Sequence, residues 1–167
     1  MPPVPYDRET MKSISHTKSF TLDFPISKLF PLFSPEGEKL WVPGWYYENV
    51  MGKTDLCEDY IFLTKTHDHS SSDAIWIVKA YNPESYFVQY YKIEPEYKVG
   101  VVTVQCTELS PTITNVQVTY KYQALSTLGE EFIAEFNERV YEEFIGEWQE
   151  SLTNYIRAST QSNSTIP

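Results

Sequence analysis

Basic residues are scarce in this sequence. The chain contains 13 Lys and Arg but 23 Asp and Glu, so its formal net charge is −10 and its isoelectric point lies near 4.7. Binding to nucleic acid or to an anionic membrane surface depends on clustered Lys and Arg. The composition therefore argues against both, and we expect no nucleic-acid partner.

Long hydrophobic runs are missing as well. No apolar stretch approaches the roughly 20 residues that a helix needs to cross a bilayer, and residues 1–20 lack a basic segment followed by an apolar one. We therefore expect no membrane span and a cytoplasmic protein. Cys57 and Cys106 are the two cysteines, each in a strand-like segment, which predicts buried, reduced thiols and no disulfide framework.

Motifs of well-known catalytic and metal sites are also absent. The sequence has no G-x-S-x-G, dinucleotide-binding or H-E-x-x-H motif. His67 and His69 lie with Asp68 and Asp73 in the stretch THDHSSSD, which is typical of a solvated turn. Because a catalytic metal needs ligands on a rigid frame, we expect neither a bound metal nor a cofactor.

The elements that are present are mostly β-strands. Residues 14–24 alternate between apolar and polar side chains, which predicts a half-buried strand. Pro25 ends this strand, and residues 26–33 form a predicted two-turn helix that Pro31 distorts. Six further strands, with short connections that favour antiparallel hairpins, are predicted at residues 46–51, 58–66, 73–81, 86–94, 99–109 and 113–124. The alternation places no Asp or Glu on an apolar face, so paired catalytic carboxylates are not expected.

The predicted final helix is long and changes its buried side. Thr127 and Glu130 match a T-x-x-E capping box, and the helical pattern continues without interruption to about Arg157, about 45 Å in all. The apolar residues up to Val140 and those after it lie on different sides of this helix, and so do the glutamates. Such a helix must lie across a strongly curved sheet, with Gly146 as a bend point.

Composition divides the chain into three parts. Residues 1–12 contain three prolines and no periodicity, which predicts a flexible arm. Residues 158–167 are small and polar, which predicts a disordered tail. Residues 13–157 are long enough for a single domain with a substantial core.

Specific stretches of the chain resemble a known superfamily. FPLFSPEGEKLWVPGW after the first strand, Trp76 in AIWIV, VTYKYQALSTLGEEF and the late helical Trp148 are similar to bacterial polyketide cyclase/dehydrase-like members of the START-like (SRPBCC) superfamily. The resemblance implies an α+β helix-grip fold, in which a curved antiparallel sheet of about seven strands wraps around a long C-terminal helix, with a short helical insertion after the first strand. It also implies a cavity between sheet and helix that accepts apolar ligands, with the insertion at its rim.

Candidate ligand-binding residues follow from this expected cavity. Trp41 and Trp45 in the insertion would close the open end or contact a ligand, whereas capping of the core is the alternative. The remaining candidates are aromatic or apolar side chains expected inside the fold: Trp76, Tyr90, Tyr120 and Tyr122 on strands, and Phe132, Phe136 and Val140 on the helix. Their mixture of apolar surface with phenol and indole donors is typical of a site for a polar-headed hydrophobic molecule, and ordinary core tyrosines are the alternative.

A catalytic residue is not assigned by any motif. His16 has the same strand parity as Phe20 and would act as a general acid or base if it pointed inward. A position at the solvated end of the strand is the alternative.

Three functions remain open at this point. The first is binding or carriage of a small hydrophobic or amphipathic molecule in the cavity. The second is an enzyme of the cyclase or dehydratase kind, acting on a ketide-like or aromatic substrate through His16 or a tyrosine. The third is a protein-interaction module, for which the cavity should be filled by side chains. Ligand identity and oligomeric state are not predicted.

Overall fold

In the residues that the structure describes, seven antiparallel strands and a C-terminal helical segment make up the fold. The computed structural model describes residues 10–53, 55–65 and 73–164. In the described part of the chain the strands are β1 (Ser13–Leu22), β2 (Tyr47–Glu48), β3 (Ile61–Thr64), β4 (Ala74–Asn82), β5 (Phe87–Glu94), β6 (Lys98–Ser110) and β7 (Ile113–Ala124). The α-helices are α1 (Ile26–Leu29), α2 (Pro35–Glu38), α3 (Thr127–Glu135) and α4 (Glu138–Ser164).

The strands form one sheet in the order β1-β7-β6-β5-β4-β3-β2. Apart from the β1–β7 pairing, every neighbour in this order is also a neighbour in sequence, as short hairpin connections favour. The strand predicted at residues 113–124 is confirmed, and its residues Val116, Val118, Tyr120 and Tyr122 are buried on one face. β1 pairs with this strand in register, with Phe20 opposite Val116. The seven-stranded sheet is therefore as predicted, although the predicted strands at 46–51 and 58–66 are shorter.

The insertion between β1 and β2 is built from single turns. α1 passes into a 3-10 turn at Phe30–Phe33, which contains Pro31, so the predicted distortion is present. Ser34 then caps α2 by accepting a hydrogen bond from the Gly37 amide at 2.9 Å. Gly37 has no room for a side chain, because a Cβ atom there would lie 2.1 Å from the Pro31 carbonyl oxygen. The insertion is consequently a tightly packed unit.

The C-terminal helix is interrupted, and the prediction of an uninterrupted helix is wrong. Phe136 leaves the helical conformation with a ψ of 61°, and Asn137 begins a new helix by accepting a hydrogen bond from the Val140 amide at 3.0 Å. The buried side therefore changes at this break and not at Gly146. Asn is a favoured helix cap, so α3 and α4 are separate elements.

Both predicted ends of the helical segment also need correction. The cap of α3 is Ser126, whose hydroxyl accepts from the Gly129 amide, while the Glu130 carboxylate accepts from the Lys12 amide at 3.3 Å. The helix continues beyond Arg157 to Ser164, because backbone hydrogen bonds can extend a helix whose side chains remain solvated. Residues 1–9 of the predicted arm and 165–167 of the predicted tail lie outside the described residues.

The two cysteines differ in their surroundings. Both are free, and Cys106 is buried on β6, where burial raises the pKa of its thiol to about 12. Cys57 is exposed and precedes β3, so its predicted burial is wrong. The predicted strand at 58–66 begins only at Ile61, which leaves Cys57 in the preceding connection.

Candidate functional site

A cavity of about 410 Å³ lies between the inner face of the sheet and helices α3 and α4. Its volume falls within the usual range for small-molecule sites. Its walls are aromatic with two charged side chains, and the lining residues are Glu38, Val42, Trp45, Trp76, Lys92, Tyr120, Tyr122, Phe132, Phe136, Phe144 and Trp148. Sheet, helices and insertion each contribute to the lining.

The sheet wall is held by hydrogen bonds and ring contacts behind it. The Trp76 indole donates to Thr64 Oγ1 at 2.9 Å and stacks on Phe62 with ring centroids 5.6 Å apart. Tyr120 and Tyr122 extend from β7 with their rings 5.9 Å apart. Burial raises the pKa of both phenols above the ordinary value, so both hydroxyls stay protonated and remain hydrogen-bond donors.

The helix wall depends on the break after α3. Phe132 lies in the last turn of α3 and Phe136 directly follows this helix, and their rings stack with centroids 5.2 Å apart. Phe144 and Trp148 follow one turn apart on α4, with ring centroids 5.9 Å apart. All four rings line the same cavity, because the break lets α3 and α4 both direct an apolar face towards it.

The insertion closes the third side. The Trp45 indole donates to the Pro35 carbonyl at 2.9 Å, and its ring lines the cavity. The Trp41 indole donates to the Leu32 carbonyl at 2.7 Å. Its buried ring packs on Trp148, with centroids 5.5 Å apart, and lines an adjacent outer depression of about 350 Å³. Trp45 thus faces the cavity, whereas Trp41 supports its wall from behind.

Two charged groups line the cavity from different elements. Burial raises the pKa of Glu38 well above its ordinary value, which favours the neutral acid. Burial lowers the pKa of Lys92, but the neighbouring Tyr122 and Glu94 outweigh this effect and leave it raised, so Lys92 is an ammonium ion near neutral pH. The cavity therefore offers a carboxyl proton and a positive charge inside aromatic walls.

The position of Lys92 depends on a glycine in the neighbouring strand. Gly100 on β6 lies in register between Lys92 on β5 and Tyr122 on β7. The Tyr122 ring occupies the space that a side chain at Gly100 would need, since a Cβ atom would lie 2.7 Å from Tyr122 Cε1 and 3.5 Å from Lys92 Cβ. The missing side chain lets the lysine and the tyrosine approach each other across β6.

A second lysine is buried beside this cluster. Lys98 Nζ lies 2.8 Å from Glu94 Oε2, and both side chains are almost completely buried. The same ammonium lies 3.9 Å from the centroid of Phe132, which lines the cavity. Glu94 shares the inner face of β5 with Tyr90, so the expectation that no strand carries an inward carboxylate is wrong. The ion pair with Lys98 offsets the free-energy cost of burying the Glu94 carboxylate.

Solved structures match this architecture over most of the chain. Ara h 8.0201 superposes with a TM-score of 0.63 at 15% identity, covering 88% of this chain and 99% of its own. The chain has the START-like helix-grip fold. Norcoclaurine synthase from Thalictrum flavum, solved with dopamine and hydroxybenzaldehyde, superposes with a TM-score of 0.61 at 7% identity over 89% of each chain.

A cyclase is among the other helix-grip structures that match. The di-domain ARO/CYC BexL from the BE-7585A biosynthetic pathway superposes with a TM-score of 0.63 at 14% identity, covering 90% of this chain and 48% of its own. No protein-family model matches the sequence, and the comparison with curated proteins gives no match. At these identities the similarity establishes the fold and leaves the ligand open.

The helix-grip fold brings most of the predicted site residues together. Trp45, Trp76, Tyr120, Tyr122, Phe132 and Phe136 line the cavity. Trp41, Tyr90 and Val140 do not. The Tyr90 hydroxyl instead donates to the Phe33 carbonyl at 2.7 Å and attaches the insertion to the sheet, and Val140 lies half-buried in the first turn of α4.

His16 contacts the helix break and does not line the cavity. Its Nε2 lies 2.7 Å from the Phe136 carbonyl oxygen, and because a carbonyl only accepts, Nε2 must be the protonated nitrogen. The imidazole stacks on Tyr141 with centroids 5.3 Å apart. The position thus supports α3 and α4 at their junction.

Sequence reasoning missed the two charged lining residues. Lys92 alternates in phase with the buried residues Val88 and Tyr90 on β5, so the sequence pattern indicated that its side chain lies on the inner face of the sheet. Glu38 belongs to a single helical turn, and one turn is too short for a periodic pattern to show which way it points.

The described part of the chain contains neither a candidate metal site nor a candidate membrane-spanning helix. Within residues 10–53, 55–65 and 73–164, no three His, Cys, Asp or Glu side chains lie close enough together to hold a metal ion. The predicted turn residues His67, Asp68 and His69 lie outside that part. None of the described helices combines the length and the apolar character that crossing a membrane requires.

Proposed function

We propose that this protein binds a small, mostly apolar molecule in the cavity between the sheet and helices α3 and α4. The observation behind the proposal is the open volume of about 410 Å³ surrounded by aromatic side chains. Burial of about 200 Å² of apolar ligand surface would contribute on the order of 5 kcal/mol before the entropic losses of association. The walls alone therefore support modest affinity.

The open volume also argues against the protein-interaction module. That function requires a cavity filled by the protein's own rings. Side chains such as Trp41 and Tyr90 instead pack away from the open volume and are hydrogen-bonded to the insertion.

Native mass spectrometry of freshly purified protein tests the binding proposal. The native mass should exceed the denatured mass by that of a co-purifying small molecule. The variant Val42→Trp, which adds an indole to the cavity wall, should lose this extra mass. Val50→Trp is the matched control, since Val50 is 49% exposed and does not line the cavity. Equal occupancy in both variants would contradict binding in this cavity.

A cyclase- or dehydratase-type enzyme is the second candidate, and Glu38 favours it. A carboxyl group whose pKa burial raises well above its ordinary value is suited to general acid catalysis, and Tyr120 and Lys92 lie on the same cavity. The candidate acid is therefore Glu38 and not His16.

The variant Glu38→Gln distinguishes the enzyme from the carrier. Purified protein is incubated with aryl ketones and linear β-diketones, and products are followed by mass spectrometry. An enzyme should convert at least one of these compounds, and Glu38→Gln should still bind the compound but lose most of the turnover. Binding without conversion by the unmodified protein would favour the carrier.

A further inference from the structure

The interior contains more positive than negative charge at one end of the cavity. Lys92 and Lys98 both approach Glu94, but Glu94 is in direct contact with Lys98 at 2.8 Å. Among the described residues, the ion pairs within 4.0 Å are Lys98 with Glu94 and Lys39 with Glu36. Lys92 thus has no carboxylate in direct contact in this part of the chain.

The remaining neighbours of Lys92 stabilise its charge without supplying a carboxylate in contact. Its Nζ lies 5.5 Å from the centroid of the Trp76 ring, and Tyr122 supplies a neutral hydroxyl. Glu38 lines the same cavity, and burial raises its pKa, which favours the neutral acid over a carboxylate that could pair with Lys92. The Lys92 ammonium therefore lies at the wall of an apolar cavity without a counterion in contact.

A bound anion can pair directly with an ammonium ion that has no carboxylate in contact, and this pairing is stronger at the wall of an apolar cavity than in water. An ammonium ion also forms stronger hydrogen bonds to a carboxylate or sulfonate than to a neutral acceptor. The chain as a whole has a formal net charge of −10, which repels anions from its surface. Selection of an anion must then arise from a local positive group.

We propose that the ligand of this cavity is an organic anion, whose carboxylate, sulfonate or phenolate group pairs with Lys92 while its apolar skeleton contacts the aromatic walls. This inference rests on the proposed binding function and specifies the chemical class of the ligand. The rings of Trp76, Tyr122 and Phe136 lie around the same volume and would contact the skeleton.

Two dyes with the same skeleton test the inference. 8-Anilinonaphthalene-1-sulfonate carries one negative charge, and N-phenyl-1-naphthylamine is its neutral counterpart. Fluorescence titration should show that the sulfonate binds about 10- to 100-fold more tightly than the neutral dye, the range expected for a hydrogen bond to a charged group. Lys92→Met should remove this preference without weakening the neutral dye, and Lys92→Arg should retain it.

The matched control is Lys121→Met, which removes the same charge from the exposed face of β7. It should leave the preference unchanged. Loss of the preference in Lys121→Met as well would attribute it to overall charge and overturn the role of Lys92.

Failure of the inference is distinguishable from failure of the proposed function. If the neutral dye binds in the cavity and the sulfonate binds no more tightly, the anion is wrong while the cavity remains a binding site. If neither dye binds, both fail. The raised pKa of Lys92 means that the fold stabilises its charge, so Lys92→Met should unfold at a somewhat lower urea concentration near neutral pH. Its unfolding midpoint verifies that lost binding does not reflect unfolding.

Discussion

Replacement of Glu94 by Gln should destabilise the protein strongly. Glu94 and Lys98 are 2% and 3% exposed, and their charged atoms are 2.8 Å apart. Removal of one member of a buried ion pair costs about 3–5 kcal/mol, because the other charge stays buried without compensation. Lys92 lies in the same cluster, so the variant leaves two lysines and no carboxylate. A loss of this size is a large part of the stability of a typical domain.

The sign of the pH dependence follows from Lys98. Burial lowers the pKa of Lys98, and Glu94 partly opposes this. Without Glu94 the folded-state pKa falls further below the ordinary value of 10.5. The folded protein then binds fewer protons than the unfolded chain between these two pKa values, so its stability increases with pH there. The deficit of Glu94→Gln should be largest below the folded-state pKa and should shrink as the pH rises towards 10.5.

Equilibrium urea unfolding is the appropriate assay. The midpoint of Glu94→Gln should fall while the dependence on urea stays the same. Glu108→Gln, an exposed change on β6, should unfold at the wild-type midpoint. The double variant Glu94→Leu/Lys98→Met should recover most of the loss, because apolar residues can replace a buried pair. The reasoning is refuted if Glu94→Gln unfolds at the same midpoint as Glu108→Gln.

Three further predictions concern the insertion and the helix break. Gly37→Ala should lower the melting temperature markedly, because the new Cβ atom would lie 2.1 Å from the Pro31 carbonyl oxygen. The control Gly146→Ala has open space around its Cβ atom and should stabilise α4 by up to about 1 kcal/mol. Equal effects of the two variants on the melting temperature would contradict the tight packing of the insertion. Tyr90→Phe removes the hydrogen bond to the Phe33 carbonyl and should cost about 1–3 kcal/mol in urea unfolding, while Tyr46→Phe, at a site 65% exposed, should change nothing. Asn137→Ala removes the cap of α4 and should cost about 0.5–2 kcal/mol; Asn137→Ser should retain most of that stability, and an equal loss in both variants would count against a capping role.

The sheet was predictable because alternation encodes it directly. The period of two in residues 14–24 and 113–124 placed β1 and β7 correctly, since one face of each strand is buried against the helices. The helix break was not predicted, although Asn137 is a typical cap. The apolar positions on both sides satisfy a helical period, and a change of buried side has the same pattern whether the helix bends or stops.

The candidate site was predictable in its aromatic walls and not in its charges. Trp76 and Tyr120 alternate in phase with apolar neighbours on their strands, so their inward position follows from the pattern of the sequence. A Glu in a single helical turn and a Lys on a strand normally face water. Only the three-dimensional arrangement shows that Glu38 and Lys92 line the same cavity.

The location of a bound apolar molecule tests the central claim most directly. Isotope-filtered NMR of the protein with N-phenyl-1-naphthylamine measures which side chains lie within about 5 Å of the dye. We expect contacts to the rings of Trp76, Tyr120 and Phe136, which line the cavity. Contacts confined to the exposed side chains of Leu40, Tyr46 and Val50 would contradict binding between the sheet and the C-terminal helices.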